Sequence, residues 1–244
     1  MSESSNVHSS ASSNVPSSEP SKVSGIGPSN APGSGPSIVP SRLAKRAHFD
    51  EETIYSILDE ALVCTISYAV DNQPFSIPTG FVRYEDKIYI HGSVGSHFIR
   101  EIEKGIPVCI TVTLMDALVV AKSAFHHSIN YRSVVLFAKA EKIEDLQTRT
   151  DAFKWLTNKM VPGSWDYLRP VKESEVRKTT ALAFSLDQAS AKVRTGMPGD
   201  DEEDQGLPIW SGLIPLAKGR LEPQADGFST EIPLPEHLFS RPGI

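Results

Sequence analysis

The sequence is most informative at residues 62–91, LVCTISYAVDNQPFSIPTGFVRYEDKIYIH. Three apolar runs rich in β-branched and aromatic residues follow one another there, and the pairs Asp71-Asn72 and Glu85-Asp86 separate them. Acidic and amide residues of this kind favour tight turns. Three such runs joined by short turns predict an antiparallel β-meander. The predicted strands are 62–70, 74–84 and 87–91.

The sequence on both sides of the meander predicts further strands and three helices. Upstream, Asp50 is a candidate N-cap for an amphipathic helix over 51–61. Six to seven antiparallel strands with peripheral helices indicate a mainly β protein of the α+β class, and the short hairpins favour a closed or nearly closed barrel. The predicted downstream elements are a helix at 96–104, a hairpin of strands 108–114 and 117–123 that turns at Met115-Asp116, a strand at 131–143, a helix at 146–160, a strand at 179–186 and an edge strand within 207–216.

Composition divides the chain into three parts. Residues 1–40 are dominated by Ser, Pro and Gly and contain no aromatic residue, so they cannot bury enough apolar surface to offset their conformational entropy. We expect a disordered tail at 1–40, one folded domain at 41–216 and a C-terminal extension at 217–244. The basic stretch from Arg42 to His48 is interpreted as a solvated lead-in to the domain.

Composition and charge argue against several classes of protein. A length of 244 residues with 39% hydrophobic and 22% charged residues suits one sizeable domain or at most two small ones. The mean hydropathy of −0.20 and the absence of a long apolar run argue against a membrane span. A formal net charge of −6 and a pI near 5.7 argue against nucleic acid as a partner. The acidic run at 200–204 is expected in a solvated loop.

Cysteine usage and the first residues indicate the cellular compartment. Cys64 and Cys109 lie far apart in apolar stretches, and no C-x-x-C motif occurs, so neither a zinc site nor a disulfide framework is predicted. We expect two buried, unreactive thiols. Reduced thiols and an N-terminal region without the apolar segment of a secretory signal predict a cytoplasmic protein, with the nucleus as an alternative.

The first candidate ligand site lies at Ile77-Pro78-Thr79-Gly80. A proline inside a strand lacks the N–H group that would complete the ladder of hydrogen bonds. Next to Gly80, Pro78 and Thr79 can therefore leave backbone groups free to face a flat ligand. A kinked edge strand without a ligand is the alternative interpretation.

The second candidate site lies at residues 91–97, HGSVGSH, where a strand passes into a helix. Two glycines and two serines at a helix start suit an anion, because free backbone N–H groups, hydroxyl donors and the helix dipole point to one spot. Arg100 lies one turn further on and adds a positive charge. An ordinary turn with a serine helix cap is the alternative. The candidate residues are His91, Gly92, Ser93, Ser96 and His97.

The third candidate site lies between two apolar strands, at residues 122–133, KSAFHHSINYRS. A lysine or arginine in this segment can neutralise a phosphate, and surface charges are the alternative. The adjacent residues His126 and His127 project in different directions, and no Cys, Asp or Glu lies beside them, so no metal site is predicted. The candidate binding residues are Lys122, Ser123, Arg132 and Ser133.

The fourth candidate site lies at residues 190–196, SAKVRTG. Strand alternation places Lys192 and Arg194 on one face, and two cations on one face suit an anionic ligand. Trp210 follows later and can stack on an aromatic ligand. Solvated charges and a core or interface tryptophan are the alternatives. No Gly-x-Ser-x-Gly motif and no Gly-x-Gly-x-x-Gly motif after a strand occurs, so neither a serine hydrolase nor a Rossmann cofactor site is predicted.

Taken in order, these segments resemble the pyridoxamine 5′-phosphate oxidase-like family of FMN-binding split β-barrels, in the branch related to nitroimidazole reductases. The resemblance covers about residues 41–216. The pyridoxamine phosphate signature of the true oxidases is not evident, so a role in vitamin B6 synthesis does not follow. The resemblance rests on the first helix, on Pro78-Thr79, on His91-Gly92-Ser93 with Ser96, on 123–128, on 130–134 and on 191–196.

The resemblance implies a homodimer of split barrels with two FMN sites at the subunit interface. The backbone around Pro78 and Thr79 would lie against the isoalloxazine ring, and Ser133 would face the flavin from a neighbouring strand. At His97 the family more often has Arg or Lys, so a weaker phosphate clamp is expected. The ribityl-phosphate path would be lined by His91, Gly92, Ser93 and Ser96, the phosphate charge would be neutralised by Lys122 and Arg132, and the flavin or substrate would be reached by Lys192, Arg194 and Trp210.

The function that the resemblance implies is that of an FMN-dependent oxidoreductase. Reduced flavin would pass a hydride or electrons to a small electrophile such as a nitro compound or a quinone, and the flavin itself would carry the chemistry. A flavin-binding protein without turnover is one alternative. A haem-binding or haem-degrading split barrel is another, with His91, His126 or His127 as an axial ligand. A structural dimer that has lost its cofactor is the fourth possibility.

Overall fold

The computed structural model describes residues 46–217, 219 and 221–238. The predicted tail at 1–40 and the end of the predicted C-terminal extension lie outside these residues. The described strands are β1 (Ala47–His48), β2 (Val63–Val70), β3 (Gln73–Gly80), β4 (Val82–Tyr84), β5 (Lys87–Ser93), β6 (Pro107–Val120), β7 (Ser128–Lys139), β8 (Glu141–Lys142), β9 (Thr179–Ser185), β10 (Ala189–Arg194) and β11 (Gly212–Pro215). The described α-helices are α1 (Glu51–Glu60), α2 (His97–Ile102), α3 (Leu146–Met160), α4 (Ser164–Tyr167) and α5 (Glu173–Arg177), and short 3-10 helices lie at Ala124–His126, Glu202–Asp204 and Glu236–Leu238.

The strands form two antiparallel sheets. The larger sheet has seven strands in the order β1-β10-β7-β6-β2-β3, and β11 pairs with the C-terminal part of β6. The smaller sheet has the order β4-β5-β9-β8. This mainly β architecture is the one that the sequence predicts. Within the described part of the chain, no helix is long and apolar enough to cross a membrane.

The described residues contain more strands than the six to seven predicted. The run at 74–84 divides at Phe81 into β3 and β4, which belong to different sheets, and the run at 131–143 divides into β7 and β8. Strand β1 has only two residues and owes its geometry to pairing with β10. Apolar periodicity does not locate the point at which a chain leaves one sheet for another, so the count was too low.

The predicted hairpin at Met115-Asp116 is wrong, because β6 runs straight through these residues. Asp116 is an extra residue in β6, since Met115 lies opposite Tyr131 and Ala117 lies opposite Asn130. Such a β-bulge shifts the strand's alternation by one residue. The buried positions accordingly change from the even numbers up to 114 to the odd numbers 117 and 119. The interruption at Met115-Asp116 that predicted a turn is this one-residue shift in the alternation of buried residues.

The β2–β3 turn and the first helix follow the sequence closely. Asp71 and Asn72 have positive φ angles of 47° and 63°, as the two central residues of a tight hairpin require. Asp50 is the N-cap of α1, and its Oδ1 accepts a hydrogen bond of 2.8 Å from the backbone N–H of Thr53. Both predictions succeed because the determining residues are local in sequence.

The main core lies between the two sheets and encloses one face of α1. Ile54, Ile57 and Leu58 of this helix are buried with residues from both sheets. Burial of one such side chain contributes about 1.5–3 kcal/mol. Helix α3 packs on the smaller sheet instead, where Trp155 stacks on Tyr84 with ring centroids 3.8 Å apart. With these helices in place, one face of the larger sheet keeps half-buried and exposed side chains.

Candidate functional site

Alternate residues of the seven-stranded sheet form a face that points away from the core, which we call the outer face. Residues between them, such as Ile66, Ile110 and Val134, are buried. Thr79 is opposite Cys64 and belongs to the core side of β3, so it does not share this face with Pro78. The outer face presents Pro78 on β3, Thr65 on β2, Thr111 and Thr113 on β6, Ser133 and Val135 on β7, and Lys192 and Arg194 on β10. Four predicted site residues therefore lie on one surface.

A shallow, open depression of about 590 Å³ lies at one end of the outer face. Its surface is mostly apolar, and its lining includes Ser67, Ser76, Cys109 and Phe137. The prediction of two buried thiols is therefore wrong for Cys109, which is half-buried because the alternation of β6 places it opposite Phe137 on this face. It is right for Cys64, where burial raises the thiol pKa to about 12.

The turn after β5 serves the packing of α2. A Cβ at Gly92 would lie 2.5 Å from Cγ1 of Ile99, so only glycine allows this helix to approach the strand. The Ser93 hydroxyl accepts a hydrogen bond of 3.2 Å from the Gly95 N–H. Ser96 is the N-cap of α2, and its hydroxyl accepts from the Ile99 N–H at 3.5 Å. These serines have local partners within the chain, and the anion-binding role stays a prediction.

The two histidines that flank this turn differ in environment. The His91 ring contacts Phe153 edge-on, with centroids 5.5 Å apart, and it remains open to solvent on its other side. Burial against its neighbours lowers the pKa of His91, so the neutral imidazole predominates at neutral pH. His97 is 63% exposed, and its Nδ1 lies 3.8 Å from Glu101.

Arg132 is held by two carboxylates. Its Nη2 donates to Asp116 Oδ1 at 2.7 Å and to Glu60 Oε1 at 3.1 Å, while Nη1 donates to Glu60 Oε2 at 2.5 Å. These hydrogen bonds raise the pKa of the guanidinium above its ordinary value. Arg132 therefore ties the β6 bulge to the end of α1, and its positive charge is already compensated within the chain.

Lys122 holds the loop that contains the acidic run. Its Nζ donates to the carbonyls of Leu207 and Ile209 at 2.6 and 2.8 Å, and its backbone N–H donates to Asp200 Oδ1 at 2.8 Å. His126 contacts Asp201 at 3.1 Å in the same region. The acidic run is thus more than a solvated loop, because its first two residues fasten it to the segment after β6.

The remaining predicted residues near this loop have modest contacts. The Ser123 carbonyl accepts from His127 Nδ1 at 2.9 Å. Trp210 is 63% exposed, and its ring lies over Gly212, where a Cβ would be 3.0 Å from Cζ2. The edge strand predicted within 207–216 is shorter than expected, because only β11 pairs with β6. Trp210 therefore precedes the strand and belongs to the surface.

The guanidinium of Arg194 on β10 has a neutral partner, and Lys192 is contacted through its backbone. Arg194 Nη1 donates to Asn130 Oδ1, and Asn130 Nδ2 donates to the Gly196 carbonyl at 3.1 Å. Ser133 Oγ donates to the Lys192 carbonyl at 3.2 Å, which links β7 to β10. These contacts fix the backbone and the guanidinium and leave the positive charges without a carboxylate from the described residues.

The structure brings the predicted residues together in groups and not in one cluster. Pro78 lies on β3. Ser133 lies three strands away on β7, and Lys192 and Arg194 lie four strands away on β10. The turn after β5 belongs to the other sheet, and Lys122 lies with the loop before β11. In the described part of the chain, no group of three or more His, Cys, Asp or Glu side chains could hold a metal ion.

Sequence reasoning missed three residues that organise these groups. Glu60 and Asp116 neutralise Arg132, and Asn130 positions Arg194. Asp116 could have been noticed as a lone acid inside an apolar run. Asn130 lies in the segment 130–134 that supports the family resemblance, although its role was not assigned. The role of Glu60 could not be predicted from the sequence, because its position is that of an ordinary solvated residue at the end of a helix.

A sequence profile of the pyridoxamine 5′-phosphate oxidase family matches residues 50–193, which is more than half of the chain. The chain belongs to this family. No curated protein matches the sequence. Most of the outer face and both sheets lie within the matched residues, while Trp210 and β11 lie beyond them.

Two solved structures resemble most of the chain. The flavocytochrome Anf3 from Azotobacter vinelandii is 36% identical with a TM-score of 0.76, and the match covers 82% of this chain and 93% of that one. The FAD and heme binding protein from Mycobacterium smegmatis is 32% identical with a TM-score of 0.76, over 79% and 95% of the two chains. A proposed 5-nitroimidazole antibiotic resistance protein from Bacteroides thetaiotaomicron is 22% identical with a TM-score of 0.52, over 60% and 86%, and shows the fold alone. These matches confirm the predicted split barrel.

Proposed function

We propose that this chain is a flavin-dependent oxidoreductase that binds a flavin nucleotide on the outer face of a homodimer and passes electrons to a small electrophile of the nitro or quinone type. The observation that carries the proposal is the outer face itself, where a mostly apolar depression, hydroxyl groups and cations share one surface. This combination fits a flat ring with an anionic tail. The flavin supplies the redox chemistry when it is bound, so no catalytic side chain is required.

The homodimer is proposed because the candidate residues are far apart in one chain. Neighbouring strands lie about 4.8 Å apart, so Pro78 on β3 is about 14 Å from β7 and about 19 Å from Lys192 on β10. A second copy related by a two-fold axis would bring its own residues towards those of the first. Val63 and Met115 on the same face are 55% and 52% exposed, and apolar side chains on a sheet face favour burial against a partner.

FMN is the flavin that the family resemblance favours. The name of the relative at 32% identity reports FAD instead. The two nucleotides share the ring and the first phosphate, so the ring-binding surface proposed above suits both. Mass spectrometry of the cofactor released by denaturation distinguishes them directly.

The proposal is tested on the purified chain. We expect a yellow protein with the absorbance of oxidised flavin, a dimer by light scattering, and NAD(P)H oxidation coupled to a nitro compound or a quinone. A monomer that binds neither FMN nor FAD would contradict the proposal. A dimer that binds flavin and does not turn over would instead be a non-catalytic flavin-binding protein.

A second candidate function is that of a flavocytochrome, which binds haem together with flavin. The names of the relatives at 36% and 32% identity favour it. His91 suits an axial ligand, because its imidazole is neutral at neutral pH and open to solvent on one side. His126 and His127 each have a contact within the chain that a ligand role would break. A Soret band that the His91→Ala variant loses would support this function, and the absence of a Soret band after titration with haemin would exclude it.

A further inference from the structure

The segment between β10 and β11, residues 195–211, lies at the end of the larger sheet that is remote from the apolar depression, and we call it the β10–β11 loop. Strands β7 and β6 lie between β10 and β11, so the loop crosses from one side of this strand pair to the other. None of its residues is buried. Burial of apolar surface therefore contributes little to holding the loop in place.

Lys122 holds the loop through contacts on both sides of its short 3-10 helix. In the first limb, residues 195–201, Asp200 Oδ1 accepts a hydrogen bond of 2.8 Å from the Lys122 backbone N–H. In the second limb, residues 205–211, the carbonyls of Leu207 and Ile209 accept from Lys122 Nζ at 2.6 and 2.8 Å. Hydrogen bonds from an ammonium group are stronger than those between neutral groups. We call these three contacts the Lys122 clasp.

Two other contacts hold the first limb. Asn130 Nδ2 donates to the Gly196 carbonyl at 3.1 Å. His126 Nε2 lies 3.1 Å from the exposed carboxylate of Asp201. Among these contacts of the described residues, those of the Lys122 ammonium hold the second limb. Loss of the ammonium should therefore release the second limb and leave the first limb attached.

The second limb carries Trp210 onto the outer face. Leu213 of β11 lies opposite Val119, which is 1% exposed and points to the core. The next pair, Gly212 and Val120, therefore points to the outer face. A Cβ at Gly212 would lie 3.0 Å from Cζ2 of Trp210, so the indole ring stands above the outer face at this position.

The indole closes one end of the space above the sheet. Thr113 lies opposite Ser133 in the middle of the outer face, and Val120 lies seven residues further along β6. With one residue taken up by the β6 bulge, these positions are about 20 Å apart. Leu118 and Ile214 lie on the way and are 39% and 46% exposed, so this stretch suits an apolar chain. A compact ligand near Ser133 does not reach the indole, whereas a ligand with a long apolar tail does.

We propose that Lys122 is a positioning residue, which holds Trp210 as an end wall of the outer face and thereby limits the length of the electron acceptor. The inference rests on the proposed function and names the class of acceptor that the same surface takes. Compact quinones and nitro compounds bind with the end wall in place. Quinones with a long apolar tail bind well only when the second limb is released.

Hydrogen exchange followed by mass spectrometry tests the clasp without any ligand. The N–H groups of Leu207 and Ile209 donate to carbonyls within the loop, so they should be protected in the full wild-type chain. Lys122→Met removes the ammonium and keeps the backbone N–H, so we expect these amides to exchange about 10-fold faster, with β6 and β7 unchanged. Lys122→Arg can donate to the same carbonyls and should retain most of the protection. Lys154→Met removes an exposed cation of α3 and should change nothing.

Quinone binding tests the end wall. Dissociation constants of benzoquinone and of its farnesyl-substituted derivative, whose extended tail reaches the indole, are measured by equilibrium dialysis on the protein as purified. In Lys122→Met and in Trp210→Ala, we expect the farnesyl derivative to bind about 10-fold more tightly and benzoquinone to stay within about twofold. Where the protein turns over, KM for the farnesyl derivative should fall in the same way with kcat unchanged.

The outcomes separate the clasp, the end wall and the proposed function. Unprotected Leu207 and Ile209 amides in the wild type, or equal exchange in wild type and Lys122→Met, would overturn the clasp. Faster exchange in Lys122→Met with unchanged or weaker binding of the farnesyl derivative would overturn the end wall, and so would a protein that binds neither quinone. The expected exchange and binding in a protein that does not turn over would support the inference and overturn only the proposed activity.

Discussion

Gly92 was predicted from the sequence to bind a ligand, whereas the structure gives it a role in packing. A packing role predicts that a substitution at Gly92 lowers the stability of the fold. A Cβ added there would lie 2.5 Å from Cγ1 and 2.8 Å from Cδ1 of Ile99. Ile99 is 1% exposed and packed in the main core, so its side chain has little room to move away. We therefore expect Gly92→Ala to lower the free energy of unfolding by about 1–3 kcal/mol, the usual cost of overpacking a core.

Urea denaturation followed by circular dichroism, at one fixed protein concentration, measures this loss. It corresponds to a decrease of roughly 0.5–2 M in the urea midpoint for a domain with an ordinary urea dependence. Gly206→Ala is the matched control, because a Cβ there meets no atom within 4 Å and the backbone φ is not positive. Its free energy of unfolding should stay within about 0.5 kcal/mol of the wild-type value.

A double substitution identifies the clash itself. Ile99→Ala removes both atoms that the new Cβ would approach, so the double variant should lose at least about 1 kcal/mol less than the sum of the two single losses. A Gly92→Ala variant as stable as the wild type would refute the reasoning. Strict additivity of the two substitutions would refute it too, because the loss would then have another origin.

Three further predictions concern charged and titratable groups. Arg132→Gln leaves the half-buried carboxylate of Asp116 and the exposed carboxylate of Glu60 without their partner, so the free energy of unfolding from urea titration should fall by about 1–3 kcal/mol, and an unchanged value would contradict the network. Asn130→Ala removes the buried amide that accepts from Arg194 and donates to the Gly196 carbonyl, so the free energy of unfolding should fall by about 1–3 kcal/mol, and an unchanged value would contradict these two contacts. Burial lowers the pKa of His91, so the folded state resists its protonation and loses stability as the pH falls below the unfolded pKa of about 6.5. His91→Gln should flatten the pH dependence of the urea midpoint, and equal slopes in both proteins would rule this out.

The parts of the fold that could be predicted depend on residues close together in sequence. The α1 cap joins Asp50 to Thr53, and the hairpin turn is set by two adjacent residues with positive φ. The bulge at Asp116 could not be distinguished from a turn, because both interrupt the alternation of an apolar run. A bulge is distinguished from a turn by the pairing of β6 with the uninterrupted strand β7. The residues of the apolar run do not encode this pairing with a distant strand.

The residue types of the candidate site were predicted from the sequence. The groups of the same chain that these residues contact were not predicted. The Arg132 guanidinium meets Glu60 across 72 residues of sequence, and the Lys122 ammonium meets the Leu207 carbonyl across 85. The basic stretch before the first strand was interpreted as solvated, yet β1 brings its Arg46 beside β10. Contacts of this kind depend on strand order, which the residues of one segment do not encode.

The placement of charge, and not its amount, is what distinguishes the edge of the outer face. The chain has 30 acidic and 24 basic residues, so carboxylates are available to neutralise every cation. They do so at the β6 bulge and along the helices, whereas Arg194 is held by the neutral amide of Asn130. A local positive field on an acidic protein attracts an anionic ligand to one place and repels it from the rest of the surface. Lys192 and Arg194 lie on the same sheet face as the proposed ring-binding surface, so an anion drawn to β10 would arrive where the flat part of a cofactor could lie against the neighbouring strands.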